Sequence, residues 1–434
     1  MGGGPAGLSA AFHLSAAGHV PVVFEARDRV GGRMRSGPLG EAVVDVGVQL
    51  VTSTFRGLLR LTRAAGAESL LVRTSGRDAL WRNGEPHVIA YGSVASMATS
   101  TALPALLKLK LASKYLPFLA TKCRGLDAND PAGTGGLAFD DVSIAEWGRA
   151  ELGDDFVELM VYPFLASYYG SRPEDTTAAL YHAFARAGLE IQLYAVRGGM
   201  VELAGAWVRA IHAQGGEVEL NAEVESVVAE AGGVVVRSAS IERRYDAAVL
   251  AVPAPAAHRL VAWPEQVSSW LARVRMSPAS TLALLTDRPL KTSWFGLSVP
   301  RRESAGSILS VVCNQARKRA GLVPEGRGLL VAFPSPAAAT QLAAAAPASV
   351  ADDLIAAVEA VIPGTARAVI HAKLFRQEDG YVLFEPGHLR RMAAFDETHL
   401  PSRLTLAGDY RVAPTVEGAV VSGERAAKRL MSAF

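Results

Sequence analysis

The spacing of apolar positions changes several times along this chain, and each change predicts an element. Residues 5–17 carry Leu8, Ala11, Phe12 and Ser15 on one face at helical spacing, with Pro5 suited to a first turn and Gly18 to a left-handed stop. Residues 20–24 follow as an apolar run of strand length, and 42–50 read as another strand. Farther on, a helix over 201–214 leads into strands at 217–220, 234–237 and 247–252. The chain closes with a strand over 404–410 that runs into a Gly408-Asp409 turn, then a helix opened by Glu417, Gly418 and Ala419 that reaches Leu430. Strand and helix alternate at both ends, which predicts an α/β fold with a doubly wound, Rossmann-like sheet. Residues 80–194 are mainly helical in pattern, with helices at 142–152 and 156–164. The alanine-rich stretch 337–348 reads as a loop before a helix at 350–361.

The first helix is preceded by Gly2-Gly3-Gly4-Pro5-Ala6-Gly7, a G-x-G-x-x-G spacing. Such a spacing arises by chance in a chain with 41 glycines, so context decides. Here a helix follows, and the next apolar run ends at Glu25, 18 residues after Gly7, where a carboxylate can accept from an adenosine ribose. A pyrophosphate would sit on the helix's positive end, with Gly4 admitting it to the backbone and Gly7 letting the helix pack closely on the sheet. Gly32 and Arg33 add a bare turn and a cation suited to a diphosphate.

The run Glu25-Ala26-Arg27-Asp28-Arg29-Val30-Gly31-Gly32-Arg33 resembles the E-A-x-x-x-x-G-G-R segment of the flavin amine oxidase superfamily. That superfamily includes protoporphyrinogen oxidases, carotenoid desaturases and monoamine oxidases, and the resemblance implies FAD in a GR2-type site. Leu404-Thr405-Leu406-Ala407-Gly408-Asp409 with Glu417-Gly418-Ala419 is similar to its closing motif, in which Asp409 would bond the ribityl chain and the last helix would point at the isoalloxazine. The same resemblance puts Val48 and Gln49 beside the flavin, although a backbone-bonded Gln49 reads equally well, and puts Val224 against the adenine. In the middle, Pro163-Phe164-Leu165-Ala166-Ser167-Tyr168-Tyr169-Gly170 and Phe384-Glu385-Pro386-Gly387-His388 resemble the protoporphyrinogen oxidase branch more loosely.

A chain of 434 residues exceeds the size of one core. The expected division is a discontinuous FAD-binding domain over 1–75, 197–255 and 395–434, with a substrate-binding domain inserted over 76–196 and 256–394. The net charge of +2 and the absence of a basic cluster argue against nucleic acid as a partner. Cys123 and Cys313 are too few for a disulfide framework or metal site, which fits a cytoplasmic protein without metal. Leu103, Leu106, Leu107 and Leu111 share residues 102–121 with Lys108, Lys110 and Lys114, a composition that suits a peripheral membrane contact. A helix pair lining the substrate cavity, interrupted by Pro104 and Pro117, is the reading favoured there.

An apolar insertion suits a bulky hydrophobic small molecule, and the resemblance implies hydride removal of the porphyrinogen-oxidising or carotenoid-desaturating kind, with O2 or another acceptor regenerating the flavin. Amine oxidation is the alternative; many amine oxidases hold a water on a lysine, and Lys373 is the residue weighed for that place. No His, Cys or Ser constellation points to a catalytic base, and His388 reads as bracing a loop. The glycine loop follows Met1 directly, whereas a doubly wound fold places a central strand before it. The expectation is therefore a start upstream of Met1, at which a valine codon GTG serves as initiator. Failing that, weakened FAD affinity or an FAD-binding protein without turnover is expected.

Overall fold

The computed structural model describes residues 1–74, 77–90, 93–239, 241–395 and 397–433. Alternation at the two ends of the chain builds the expected layered unit. Val22–Phe24 pairs in parallel with Glu217–Glu219, and Ala248–Leu250 pairs in parallel with Leu404–Leu406. Met1 and Gly2 lie between the pairs. The Met1 amino group donates to Val249 O at 2.8 Å, Ala251 N donates to Met1 O at 2.9 Å, and Gly2 N donates to Phe24 O at 2.8 Å. Parallel strands need both faces covered. Helices Pro5–Ala16, Val201–Ala213 and Val416–Ala433 supply the cover, and the first packs on the other two. Its approach to the last helix is close: a Cβ at Gly423 would stand 2.1 Å from Ala6 O, and Ser9 Oγ donates to Val420 O at 2.8 Å.

The inserted stretches form a seven-stranded sheet in the order Val369–Val382, Met276–Thr286, Gly328–Pro334, Leu309–Asn314, Gly296–Ser298, Arg77–Arg82, Glu85–Ala90. Leu309–Asn314 and Gly328–Pro334 are buried at every position, so both faces must be covered. Helix Pro347–Val361 packs on one face, and the hairpin of Ser36–Leu39 with Ala42–Asp45 packs on the other. A helical layer, 105–121, 144–169 and Ala178–Ala187, gathers Tyr115, Phe156, Tyr181 and His182 in its centre.

Three details differ from the sequence reading. Residues 77–90 form a hairpin inside a stretch read as mainly helical; Asn83 and Gly84 turn it with φ of 53° and 81°. The alanines of 337–344 lie in helix Pro336–Ala344 rather than a loop, because alanine loses the least on entering a helix and Ser335 Oγ accepts from Ala338 N as its cap. Pro117 does not interrupt its helix. A proline ring clashes with the carbonyl four residues back, and the preceding turn Leu111–Tyr115 widens to a π turn that accommodates it. Val157–Val161 does the same before Pro163.

Candidate cofactor cleft and substrate cavity

Two glycine turns meet at the start of the first helix. Gly2 has φ +94°, and a Cβ there would stand 2.5 Å from Ala251 O; one at Gly7 would stand 1.9 Å from Gly2 O. Gly31 N donates to Gly3 O at 2.8 Å, which brings the second turn against the first, and Gly32 with φ +53° lies so close that its Cβ would meet Gly4 Cα at 3.2 Å. The carboxylate of Glu25 fixes the arrangement by accepting Gly3 N at 2.7 Å and Arg27 N at 3.0 Å. The result is bare backbone at a helix amino end, which favours a phosphate group.

Two cavities, 330 Å³ and 260 Å³, share Pro5, Gly32, Arg33, Gln377, Asp409 and Ala419 and so form one bent cleft. The smaller is bounded by Gly2, Gly4, Ala6, Glu25, Ala26, Arg27, Val224 and Gly408, and the larger by Val48 and Gln49. Thus the structure brings together, on one cleft, residues separated by almost the whole chain. At the junction Arg33 Nη2 donates to Asp409 Oδ1 at 2.7 Å. Burial opposes the Arg33 charge, but Asp409 outweighs it and holds the guanidinium above its ordinary pKa.

Gly7, Glu417 and Gly418 line neither cavity. Gly7 and Gly418 serve close packing, since a Cβ at Gly418 would stand 2.1 Å from Ala413 O. Glu417 turns away from the cleft. Its carboxylate accepts Gly57 N at 2.6 Å and Leu58 N at 2.7 Å, capping helix Arg56–Ala64, whose own N-cap residue Phe55 offers no side-chain acceptor. Burial raises the Glu417 pKa despite these two bonds.

The larger cavity has an aromatic wall of Phe164, Tyr168, Tyr169 and Phe184, with Tyr169 and Phe184 stacked at 4.5 Å. Gln49 both lines the cavity and is held by backbone: Nε2 donates to Asp45 O at 2.8 Å and Gly47 O at 3.0 Å, and Oε1 accepts Gln315 Nε2 at 2.8 Å. Beneath it lies a support that sequence reading missed. Lys318 and Asp45, both fully buried, form an ion pair at 2.7 Å, and Asp45 Oδ1 also accepts Ser36 Oγ and Met200 N. An aspartate inside the apolar run Ala42-Val43-Val44-Asp45-Val46 was the available signal; its partner is 273 residues away.

The charged residues on the larger cavity are Arg33, Arg35, Arg376 and Asp409, and no lysine lines it among the described residues. Lys373 is exposed, its ammonium 5.2 Å from the centre of the Phe375 ring. His388 also lies off both cavities, its ring tilted at 38° to that of Phe384 with centres 4.1 Å apart, and burial lowers its pKa to about 4. Both cysteines are buried and unpaired.

A two-turn glycine cradle braced by the Glu25 carboxylate, opening through a bent cleft into an aromatic chamber, defines a dinucleotide-binding α/β protein. The chain belongs to the flavin containing amine oxidoreductase family, which matches residues 5–431; the cofactor is FAD. A Mycobacterium tuberculosis protein named as a flavin-containing monoamine oxidase is 27% identical over 271 residues, covering 60% of this chain and 57% of that one. The chain therefore matches little more than half the length of this curated relative. Two solved structures share the fold: one from Exiguobacterium described as a protoporphyrinogen oxidase, with TM-score 0.78, 18% identity and coverage of 100% of this chain and 98% of that one. The other is a wild-type putrescine oxidase bound to putrescine, with TM-score 0.78, 20% identity and coverage of 99% and 98%.

Proposed function

We propose that this protein oxidises a bulky hydrophobic small molecule, of the porphyrinogen or polyene kind, by removing a hydride equivalent to FAD, with O2 or another acceptor regenerating the cofactor. The continuity of the two cavities at Arg33 and Asp409 carries the reading: a groove that starts at the glycine cradle opens into an apolar chamber. On this reading Gly2, Gly4, Pro5, Ala6, Glu25, Ala26, Arg27 and Val224 hold the adenosine diphosphate half. Gly32, Arg33, Val48, Gln49, Gly408, Asp409 and Ala419 hold the flavin half. The cofactor part comprises 1–75, 197–255 and 395–434, and the substrate part 76–196 and 256–394. Bound FAD supplies a two-electron acceptor; the chain supplies orientation and a dry apolar chamber.

The relatives' names point both to amines and to porphyrinogens, and the cavity's charge separates the two. An ammonium substrate would meet three arginines and a single carboxylate already paired with Arg33. Oxygen uptake by purified holoprotein with porphyrinogens, polyenes and amines tests the choice. Turnover of porphyrinogens or polyenes is expected, and turnover of amines alone would overturn it.

A peripheral membrane contact is proposed as a second property, from the outer surface of residues 105–121. No helix among the described residues is long and apolar enough to cross a membrane. Leu106 and Leu109 are each 63% exposed on that surface. Between Glu85 and Asp127 the chain carries Lys108, Lys110, Lys114, Lys122 and Arg124 and no acid, a charge that suits anionic lipid. The protein is expected to float with phosphatidylglycerol-containing vesicles and not with phosphatidylcholine vesicles, and the double substitution Leu106→Glu, Leu109→Glu should abolish flotation. Absence of flotation, or flotation of the double variant, would refute the contact.

A further inference from the structure

Dehydrogenation takes two hydrogens from a substrate: one leaves as a hydride, which bound FAD accepts with both electrons, and the other leaves as a proton that needs a receiver. The cavity offers few. Asp409 is engaged by Arg33. Tyr169 and Tyr381 are half-buried phenols on the cavity whose pKa desolvation pushes up, Tyr381 to about 12, and neither donates to a carboxylate among the described residues.

Tyr168 differs. It lines the cavity on the aromatic wall, and its hydroxyl donates to Asp78 Oδ2 at 2.5 Å. Asp78 does not line the cavity. It belongs to strand Arg77–Arg82, is only 6% exposed, and is fixed on its other side by Gly296 N, which donates to Oδ1 at 3.0 Å. The fit leaves no room for a side chain on the neighbouring strand: a Cβ at Gly296 would stand 2.9 Å from Asp78 Oδ2. Tyr168 is also anchored through its helix, because the adjacent Ser167 Oγ pairs with Ser298 Oγ at 3.0 Å. A phenol at the surface of an apolar chamber, backed by a carboxylate out of reach of the chamber's contents, is the arrangement a proton needs to leave a dry site.

We propose that Tyr168 is a catalytic proton carrier for the reaction proposed above and that Asp78 is its acceptor. As the substrate gives up its proton to Tyr168 Oη, the hydroxyl proton of Tyr168 passes to Asp78 Oδ2. Tyr168 ends neutral and Asp78 ends as the neutral acid; once product leaves, the proton returns through Tyr168 Oη to water that refills the chamber, and Asp78 is again a carboxylate. The inference rests on the dehydrogenation reading but not on which substrate class proves correct.

The test is anaerobic reduction of the bound flavin, followed by its visible absorbance in wild type, Tyr168→Phe and Asp78→Asn. Each variant removes one step of the relay with little change of shape. Both should bind FAD with an unchanged spectrum, retain substrate affinity and reduce the flavin about 100-fold more slowly at saturating substrate. Wild-type reduction rates in Tyr168→Phe would overturn the proposal, and so would an effect confined to substrate affinity, which marks a positioning role. A slow Tyr168→Phe beside a wild-type rate in Asp78→Asn would overturn the assignment of Asp78. If Asp78→Asn fails to fold, Tyr168→Phe alone decides the carrier role. The substrate panel run on wild type reports separately: reduction by amines alone would defeat the porphyrinogen or polyene reading, and the variants would then be compared on an amine.

Discussion

Three buried polar residues bear stability rather than chemistry, and each makes a separate prediction. His182 sits among Tyr115, Phe118, Phe139 and Trp147, and burial lowers its pKa to about 3. The unfolded chain takes up a proton near pH 6.5 that the folded chain refuses, so stability is complete above that pH and is lost progressively as pH falls toward 3. His182→Phe should flatten this acid limb in melting curves recorded across pH; an unchanged limb would refute the assignment. Lys318→Met leaves Asp45 as an uncompensated buried charge and should cost about 3–5 kcal/mol, measured by urea denaturation. Glu417→Ala removes the cap of helix Arg56–Ala64 and should cost about 1 kcal/mol, while FAD affinity stays near wild type. At this scale the sequence is eloquent about backbone and poor about partners. Glycines at 2, 7 and 32 announce a cradle, because the backbone is left-handed at 2 and 32 and a Cβ at 7 would stand 1.9 Å from Gly2 O. The destination of Glu417 depends on a helix 360 residues away, and a motif cannot carry that information.

Elements were legible where periodicity and punctuation agree. Helix Pro5–Ala16 begins at its proline, and helix Val201–Ala213 falls within a residue of its expected end. The hairpin at 77–90 shows the opposite case, since its Asn83-Gly84 signal was overlooked within an apparently helical stretch. Gly84 holds φ +81° with open space around it, so Gly84→Ala should cost about 1 kcal/mol through backbone strain alone. A thermal melt indistinguishable from wild type would show the turn to be adaptable. The prolines at 117 and 163 make a related point. A rule that ends helices at proline misses the alternative of widening one turn, which the buried Leu111, Tyr115, Val157 and Val161 stabilise through packing.

The whole molecule was readable at its ends and obscure in its middle, for a physical reason. A dinucleotide site imposes glycine, carboxylate and cation at fixed spacings, whereas an apolar chamber requires only that its lining be apolar and of suitable size. Hence motifs named candidates for the cofactor half, of which Gly7, Glu417 and Gly418 lie off the cleft, while nothing pointed to Tyr168, Asp78, Asp45 and Lys318. The central claim is that the joined cleft binds FAD and passes substrate electrons to it. Its most direct test is the visible spectrum of purified, FAD-reconstituted protein before and after anaerobic addition of a porphyrinogen, polyene or amine. The account predicts an oxidised-flavin spectrum that bleaches with a porphyrinogen or polyene and is weakened or lost in Arg33→Ala. A colourless protein that cannot be reconstituted, or a bound flavin that no substrate of the three classes bleaches, would contradict it.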